Sequence, residues 1–217
     1  MGAQKIICGY DIRGILGCKM TNYAQKLLSA ASGNYYCSYY YPTAHSKYNT
    51  DKLTIDISDL KREDVEAAER IAELMKFFAE DTDCMRENLP MTCDLLIPVP
   101  NFRNGDPPYG SELLATSFYG VLQKTTSAIK FAPDALEKTM ETLNHKKLNR
   151  LEREQFFKEN TVYQFAKKYD VSGKNILLID DILTTGYTLQ QCIQQLLDNG
   201  AEKIYTFCAG YTYMTGL

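Results

Sequence analysis

Two adjacent carboxylates and a turn rich in threonine and glycine follow an apolar run near residue 180. The run covers residues 176–179, and the acids that follow it are Asp180 and Asp181. The turn consists of five consecutive residues, Thr184, Thr185, Gly186, Tyr187 and Thr188. A continuous apolar run is typical of a central parallel strand, and ligands bind beyond the carboxyl ends of such strands. Because the turn opens a predicted helix, its amides and hydroxyls suit a phosphate group.

The two acids need a partner other than that phosphate, because ionised carboxylates repel it. Sugar hydroxyls donate hydrogen bonds to carboxylates, and a hydrated magnesium ion also suits them. Gly186 permits a positive φ or a close backbone approach that a side chain would block. The string therefore predicts a site for a sugar that carries a phosphate. A plainer alternative, solvated acids before a helix cap, explains the paired acids but not the whole string at 176–188.

The surrounding elements predict an α/β fold, with a parallel twisted sheet flanked by helices. A helical pattern runs through residues 61–81, and Ser111 suits the N-cap of a second helix. Residues 95–100 form a short apolar run closed by prolines, which predicts a buried strand that enters a loop. Further strands are expected at 162–165 and 204–209. Strands that alternate with helices are typical of a parallel sheet.

Two stretches give weaker patterns. Residues 1–47 are rich in tyrosine and glycine and show no clear period. We expect them to form a small irregular N-terminal segment or hood ahead of a main domain at 48–217. Residues 133–160 are polar and charged with a weak apolar stripe, and a solvated helix and a mobile loop both fit them.

Composition narrows the classes of function. Apolar residues make up 45% and charged residues 24%, which is ordinary for a globular protein. The net charge of −3 gives no general attraction to nucleic acid or acidic membranes. Seven cysteines are scattered without a C-x-x-C pair, so we expect a reducing cytoplasm and no metal site on protein ligands. No apolar run is long enough to span a bilayer, and the first residues lack the apolar core of a signal peptide.

The string at 176–188 resembles the phosphoribosyl pyrophosphate (PRPP) signature of type I phosphoribosyltransferases. Other stretches resemble the ComF-like branch of that superfamily, which is linked to DNA uptake in competent bacteria. Residues 48–61 are similar to its opening strand, which has a lysine before the first helix, and residues 94–100 to its Pro-Val-Pro strand and loop. Residues 111–115 resemble the helix that follows, and residues 158–165 the segment ahead of the PRPP strand. The resemblance covers about residues 48–210.

This resemblance implies the type I phosphoribosyltransferase fold and a magnesium-dependent transfer of the 5-phosphoribosyl group of PRPP to a nitrogenous acceptor, with release of pyrophosphate. By position, Asp180 and Asp181 would be the catalytic pair that binds the ribose hydroxyls, with Mg²⁺ held on the ligand side. The turn would hold the 5′-phosphate, largely through backbone amides. The candidates for binding pyrophosphate are Asn101, Phe102 and Arg103. Residues 145–153 would form the mobile loop, whose cations are Lys146, Lys147, Arg150 and Arg153.

Three functions stay open at this point. The first is an active transferase whose partners are PRPP and an unidentified small-molecule acceptor. The second is a non-catalytic PRPP-binding regulator, which residues 106–109 favour because they are acidic and proline-rich where the branch carries arginine. The third is an accessory protein of DNA uptake that works by protein contacts, with the tyrosines at 35–41 as its surface. In each case we expect a cytoplasmic protein without direct nucleic-acid binding, and a homodimer is an assembly that each allows.

Overall fold

The computed structural model describes residues 6–7, 10–11, 27–80, 88–101, 110–125, 128–140 and 150–213. Within these ranges the strands are β1 (Ile6–Ile7), β2 (Tyr10–Asp11), β3 (Gly33–Tyr40), β4 (Leu95–Pro98), β5 (Lys130–Phe131), β6 (Leu136–Lys138), β7 (Tyr163–Phe165), β8 (Asn175–Leu183) and β9 (Lys203–Thr212). The helices are α1 (Lys52–Leu60), α2 (Val65–Glu80), α3 (Leu89–Thr92), α4 (Ser111–Gln123), α5 (Arg150–Glu159) and α6 (Tyr187–Asp198).

A five-stranded sheet in the order β3-β9-β8-β4-β5 forms the centre of the fold. Every neighbouring pair in it is parallel. Strand β8 lies in the middle, with Ile179 opposite Phe207 on one side and opposite Pro98 on the other. This arrangement confirms the predicted parallel sheet flanked by helices. The carboxyl ends of β4 and β8 therefore lie side by side at one edge.

Two hydrophobic cores cover the two faces of this sheet. Because side chains alternate along a strand, Leu177 and Ile179 enter one core while Ile176 and Leu178 enter the other. Helices α1, α2 and α4 pack on the first face, and α6 packs on the second together with residues of β6 and β7. The burial of β8 on both faces explains its continuous apolar sequence.

Residues 52–60 form helix α1, which corrects the expectation of a strand within 48–61. Leu53, Ile55 and Ile57 alternate with polar residues as they would in a strand, but Leu53 and Ile57 are buried while Ile55 is 38% exposed. Spacing of four residues between buried positions is helical. The helix begins here because Asp51 caps it, with its carboxylate accepting the Thr54 backbone N–H at 2.8 Å.

Strand β3 comes from the tyrosine-rich stretch for which the sequence showed no period. It pairs with β9 in parallel, with Gly33 opposite Tyr205 and Tyr40 opposite Thr212. The expectation of an irregular segment therefore does not hold for residues 33–40. Tyrosine can occupy buried and partly exposed positions alike, so its repetition hides the alternation of the strand.

The charged stretch between β5 and β7 contains both a strand and a helix. Strand β6 pairs with β7 in antiparallel fashion, and helix α5 follows before β7. Arg150 and Arg153 therefore lie in a helix, which is one of the two alternatives that the sequence left open for residues 133–160. An ion pair between Lys158 Nζ and Glu154 Oε1, at 2.7 Å and one turn apart, supports the helix locally.

A buried carboxylate joins the N-terminal strand pair to two helices. Asp56 of α1 is 3% exposed, and Tyr10 of β2 donates its hydroxyl to it at 2.5 Å. Lys52 Nζ lies 2.7 Å from its Oδ2, and Arg70 of α2 donates to its Oδ1 at 2.8 Å. Burial opposes the charge, but the hydrogen bonds from Arg70, Lys52 and Tyr10 outweigh it and lower the pKa of Asp56.

None of the helices in the described ranges combines the length and the apolar composition that a bilayer span requires. The cysteines in these ranges are buried and not disulfide-bonded: Cys37, Cys93, Cys192 and Cys208.

Candidate functional site

A cavity of about 410 Å³ opens at the carboxyl ends of β4 and β8. The segment after β4 lines it with Asn101, and the end of β8 lines it with both Asp180 and Asp181. Parallel strands bring these ends together because their carboxyl termini share one edge of the sheet. The structure thus joins one predicted pyrophosphate-binding residue and the predicted carboxylate pair in a single cavity.

The two carboxylates are held by the backbone that follows them. Asp180 is 9% exposed, and its Oδ1 accepts the N–H of Asp181 at 2.9 Å. The Oδ1 of Asp181 in turn accepts the N–H of Ile182 at 2.7 Å. These bonds orient both side chains at the end of the strand, where both acids line the cavity.

Burial and the neighbouring charge of Asp181 raise the pKa of Asp180 well above its usual range. The backbone N–H of Asp181 and the charge of Lys61 act in the opposite direction. The pair therefore concentrates negative charge where solvent is scarce. Such a site favours a cation or a group that donates hydrogen bonds.

Lys61 is a site residue to which the sequence assigned no role. It follows the last turn of α1, and its Nζ lies 3.7 Å from Asp181 Oδ2 and 5.4 Å from the centre of the Tyr40 ring. The only sequence signal was its place in the ComF-like resemblance, as the lysine before a helix. Its contact with Asp181 depends on how α1 packs against the sheet, which local spacing does not reveal.

The turn after β8 begins helix α6 at Gly186. This glycine has a φ of +89°, and a Cβ at this position would lie 3.1 Å from Leu27 Cδ2. The positive φ favours glycine, and an added Cβ would also require the Leu27 side chain to shift slightly. The amino end of α6 thereby faces the cavity, where the backbone N–H groups of the first turn, which have no acceptor within the helix, favour an anion. Thr184, Thr185, Gly186 and Thr188 line the cavity.

Tyr187 behaves differently from the other four residues of the turn. It is 3% exposed, its hydroxyl donates to Glu154 Oε2 at 3.0 Å, and its ring stacks on Phe157 with centroids 5.9 Å apart. Its backbone belongs to the predicted phosphate-binding turn, but its side chain packs against α5. The Thr184 hydroxyl, at the start of the turn, lies 2.8 Å from the Thr212 hydroxyl at the end of β9.

Among the predicted pyrophosphate-binding residues, only Asn101 is in the described ranges. Its backbone N–H donates to Glu112 Oε1 at 3.0 Å. Gly110 faces the same region with a φ of +56°, and a Cβ there would lie 3.6 Å from Asn101 Nδ2 and 3.7 Å from Asp181 Oδ2. Phe102, Arg103, Lys146 and Lys147 lie outside the described residues.

Three further lining residues carry no prediction from the sequence. Lys138 and Tyr163 come from β6 and β7, and Phe157 comes from α5. Lys138 Nζ lies 5.9 Å from the centre of the Tyr163 ring. Tyr163 is 4% exposed, is hydrogen-bonded to the Thr188 side chain, and has a pKa raised mainly by burial. Strands β6 and β7 and helix α5 therefore each contribute a residue to the lining of the cavity.

Comparison with known proteins finds similarity to parts of this chain. Residues 120–211 match the sequence model of the family described as "Phosphoribosyl transferase domain". The chain is 45% identical over 47 residues to a ribose-phosphate pyrophosphokinase of Caldanaerobacter subterraneus subsp. tengcongensis, covering 22% of this chain and 15% of that protein. It is 35% identical over 51 residues to the DNA utilization protein YhgH of Escherichia coli (strain K12), covering 24% of this chain and 22% of that protein.

The chain thus spans less than a quarter of the length of these two relatives. A solved structure with a similar arrangement is the glutamine PRPP amidotransferase of B. subtilis, complexed with ADP and GMP. It has a TM-score of 0.44 and 15% identity, and the match covers 70% of this chain and 30% of that chain. Residues 120–211, which include both carboxylates and the whole turn, are the part of the chain that matches the phosphoribosyl transferase domain.

Proposed function

We propose that this protein is a magnesium-dependent phosphoribosyltransferase that moves the 5-phosphoribosyl group of PRPP to a nitrogenous acceptor and releases pyrophosphate. One observation carries the proposal. A single cavity contains the carboxylate pair at the end of β8 and four residues of the glycine turn that opens α6. The family match over residues 120–211 includes all of them.

In this proposal the 5′-phosphate binds the turn, and the ribose hydroxyls donate to Asp180 and Asp181. The positive end of the α6 dipole and the backbone amides of its first turn favour the phosphate. The pyrophosphate extends towards Asn101, in the segment that continues through Phe102 and Arg103. The name of the pyrophosphokinase relative refers to ribose phosphate and pyrophosphate, which are the two parts of this ligand.

The carboxylate pair fits magnesium that arrives with PRPP. Mg²⁺ prefers oxygen ligands and is commonly bound through one or two carboxylates together with phosphate oxygens and water. In the described ranges no group of three or more acidic, histidine or cysteine side chains is placed to hold a metal ion. Two carboxylates therefore suit an ion that completes its coordination on the ligand. When bound, Mg²⁺ would neutralise charge on the departing pyrophosphate.

The reaction breaks the bond between C1 of the ribose and the pyrophosphate oxygen, and the electron pair leaves with pyrophosphate. The ribosyl centre becomes oxocarbenium-like, with an electronic demand comparable to that of glycoside cleavage. The lone pair of the acceptor nitrogen then forms the new C1–N bond, and the nitrogen releases its proton to solvent. The chain's part is to orient the sugar with Asp180 and Asp181, fix the phosphate in the turn and exclude water.

Calorimetric titration with PRPP, with and without Mg²⁺, tests this proposal. We expect magnesium-dependent binding that the double variant Asp180→Asn/Asp181→Asn loses while it keeps its far-ultraviolet circular dichroism spectrum. Asp198→Asn, which changes an exposed carboxylate at the other end of α6, is the matched control and should bind like the wild type. Undiminished binding by the double variant would contradict the assigned ribose site. Pyrophosphate release with a panel of nitrogenous bases then tests turnover.

The similarity to the E. coli DNA utilization protein YhgH favours a second candidate, in which the chain binds PRPP and acts in the use of DNA through protein contacts. This candidate predicts the same magnesium-dependent binding but no pyrophosphate release with any base. The two measurements together therefore separate an enzyme from a non-catalytic PRPP-binding regulator or accessory protein.

A further inference from the structure

Tyr187 connects the turn to helix α5, which precedes the turn in the sequence. Its hydroxyl donates to Glu154 Oε2 at 3.0 Å across 33 positions of the chain. Its ring lies nearly parallel to that of Phe157, with an interplanar angle of 16°. Phe157 also lines the cavity, so α5 forms part of the wall around the site.

Helix α5 packs on the second hydrophobic core through two phenylalanines and contacts α6. It has 10 residues and is strongly polar, and isolated helices of this length are not stable in water. Leu151 is 76% exposed, and Phe156 and Phe157 are only partly buried. Gln191 of α6 adds polar contacts, since its Nε2 donates to the carbonyl oxygens of Phe157 at 2.8 Å and Asn160 at 2.6 Å.

The carboxylate of Glu154 is well placed to fix this arrangement. Its Oε1 accepts from Lys158 Nζ at 2.7 Å, while its Oε2 accepts from the Tyr187 hydroxyl. The glutamate side chain is therefore held by its own helix and presents its second oxygen to α6. A hydrogen bond to an ionised acceptor is stronger than one between neutral groups.

We propose that Tyr187 is a positioning residue that couples the phosphate-binding turn to helix α5. The identity of the ligand in this coupling rests on the proposed function. A phosphate bound by the backbone of the turn fixes the main chain of residue 187. The Tyr187 side chain is then restrained as well, and through its contacts it restrains Glu154 and Phe157. Because coupling is reciprocal, a well-placed α5 also favours the phosphate-bound turn. Arg150 and Arg153, to which the resemblance gives a role towards pyrophosphate, belong to the same helix.

Hydrogen exchange of α5, followed by mass spectrometry in the full chain, tests this coupling. Tyr187→Phe removes the hydroxyl and keeps the ring. Without ligand, we expect the amides of 150–159 to exchange about tenfold faster in this variant, while those of β8 stay unchanged. Glu159→Gln alters an exposed acid of the same helix and is the matched control, with wild-type exchange.

Ribose 5-phosphate, which carries the phosphate but no pyrophosphate, serves as the probe for the ligand-bound state. We expect it to slow exchange of both the turn and α5 in the wild type, and of the turn alone in Tyr187→Phe. Equal slowing of α5 in both proteins, or equal exchange without ligand, would overturn the coupling while the proposed function stood. If the wild type bound neither ribose 5-phosphate nor PRPP, the proposed function would fail, and the ligand-free comparison would still decide whether Tyr187 holds α5.

Discussion

Lys61 Nζ lies 3.7 Å from Asp181 Oδ2, where the end of helix α1 meets the end of strand β8. The lysine side chain is 42% exposed and the aspartate side chain 20% exposed, so solvent weakens this ion pair. Its importance lies in its position, since it places a cation of the chain beside the carboxylate pair. A cation that arrives with a ligand must share the pair with Lys61 or displace it.

Replacing Lys61 should therefore strengthen binding of Mg²⁺ alone. We expect Lys61→Met to lower the dissociation constant for Mg²⁺, measured by calorimetry without PRPP, by up to about fivefold, because a partly exposed pair contributes at most about 1 kcal/mol. Arg62→Met removes the adjacent exposed cation, which pairs with Asp59 at 3.2 Å, and should change nothing. The same dissociation constant in both variants would show that Lys61 does not compete for the acids.

Asp180 should make the ligand-free protein more stable as the pH falls. Its pKa is raised in the folded state by burial and by Asp181. The folded state then binds more protons than the unfolded state between the ordinary aspartate pKa and the raised one, so the free energy of unfolding decreases as the pH rises through that window.

Asp180→Asn removes this dependence and still accepts the Asp181 N–H. We expect a higher melting temperature than the wild type at neutral pH and a smaller difference near pH 4, measured by calorimetry at both values. Each 1 kcal/mol gained corresponds to about 2–4 °C for a chain of this size. A lower melting temperature at neutral pH would mean that the charge of Asp180 is compensated by groups other than Lys61.

Gly186→Ala should affect both stability and ligand binding. The φ of +89° costs a non-glycine residue about 1–2 kcal/mol, and the added Cβ would also press on Leu27 at 3.1 Å. Gly173→Ala is an internal comparison, because Gly173 has a φ of +65° but nothing within 4 Å of an added Cβ. Urea denaturation should show a larger loss for Gly186→Ala. Only that variant should lose PRPP binding, and equal losses of stability would indicate that the Leu27 contact relaxes freely.

Asp56 should stabilise the fold at neutral pH and lose this effect in acid. Its folded pKa lies below the ordinary value, so its contribution is present above the ordinary pKa and disappears as the pH falls through the folded one. Asp56→Asn leaves the cations of Lys52 and Arg70 without their carboxylate, and because their side chains are 38% and 33% exposed, we expect a loss below the roughly 3–5 kcal/mol that breaking a fully buried pair costs. Urea denaturation at neutral pH measures this loss.

Asp59→Asn, which removes a partly exposed acid of the same helix, is the control for Asp56→Asn. A loss no larger than that of the control would mean that the two cations find solvent when Asp56 is changed. The position of Tyr10 makes a second comparison available, because Tyr10→Phe removes one neutral donor to Asp56 and leaves both cations in place.

The parts of the fold that depend on local pattern were predictable, and those that depend on packing were not. The apolar run of β8 is continuous, and the apolar residues of α2 recur with the period of a helix. The structure confirms both elements. A strand was expected in place of helix α1 because residues 48–61 resemble the opening strand of the ComF-like branch. The Asp51 cap and the burial of Leu53 and Ile57 distinguish the helix.

The residues of the site also divide into those that local sequence predicts and those that packing brings together. The acids and the turn are contiguous in sequence, so their proximity in the cavity could be predicted from the strand and helix that join them. Lys61 and Tyr163 reach the cavity through the packing of other elements, across more than 100 positions in the case of Lys61 and Asp181. No spacing rule in a single sequence relates such residues. The contact of Tyr187 with Glu154 is hidden for the same reason.

The position of β3 at the edge of the sheet matters during translation, because β3 is synthesised long before its partner strand β9. In the described part of the chain this strand pairs with β9. Gly33 can therefore pair with Tyr205, and Tyr40 with Thr212, only after β9 has been synthesised. A nascent chain on the ribosome therefore carries a strand with four tyrosines and no neighbour until almost all of the described chain has been made. Unpaired strands of this kind associate with one another. Chains released before β9 should aggregate through β3, and shielding of that strand during translation should increase the yield of folded protein.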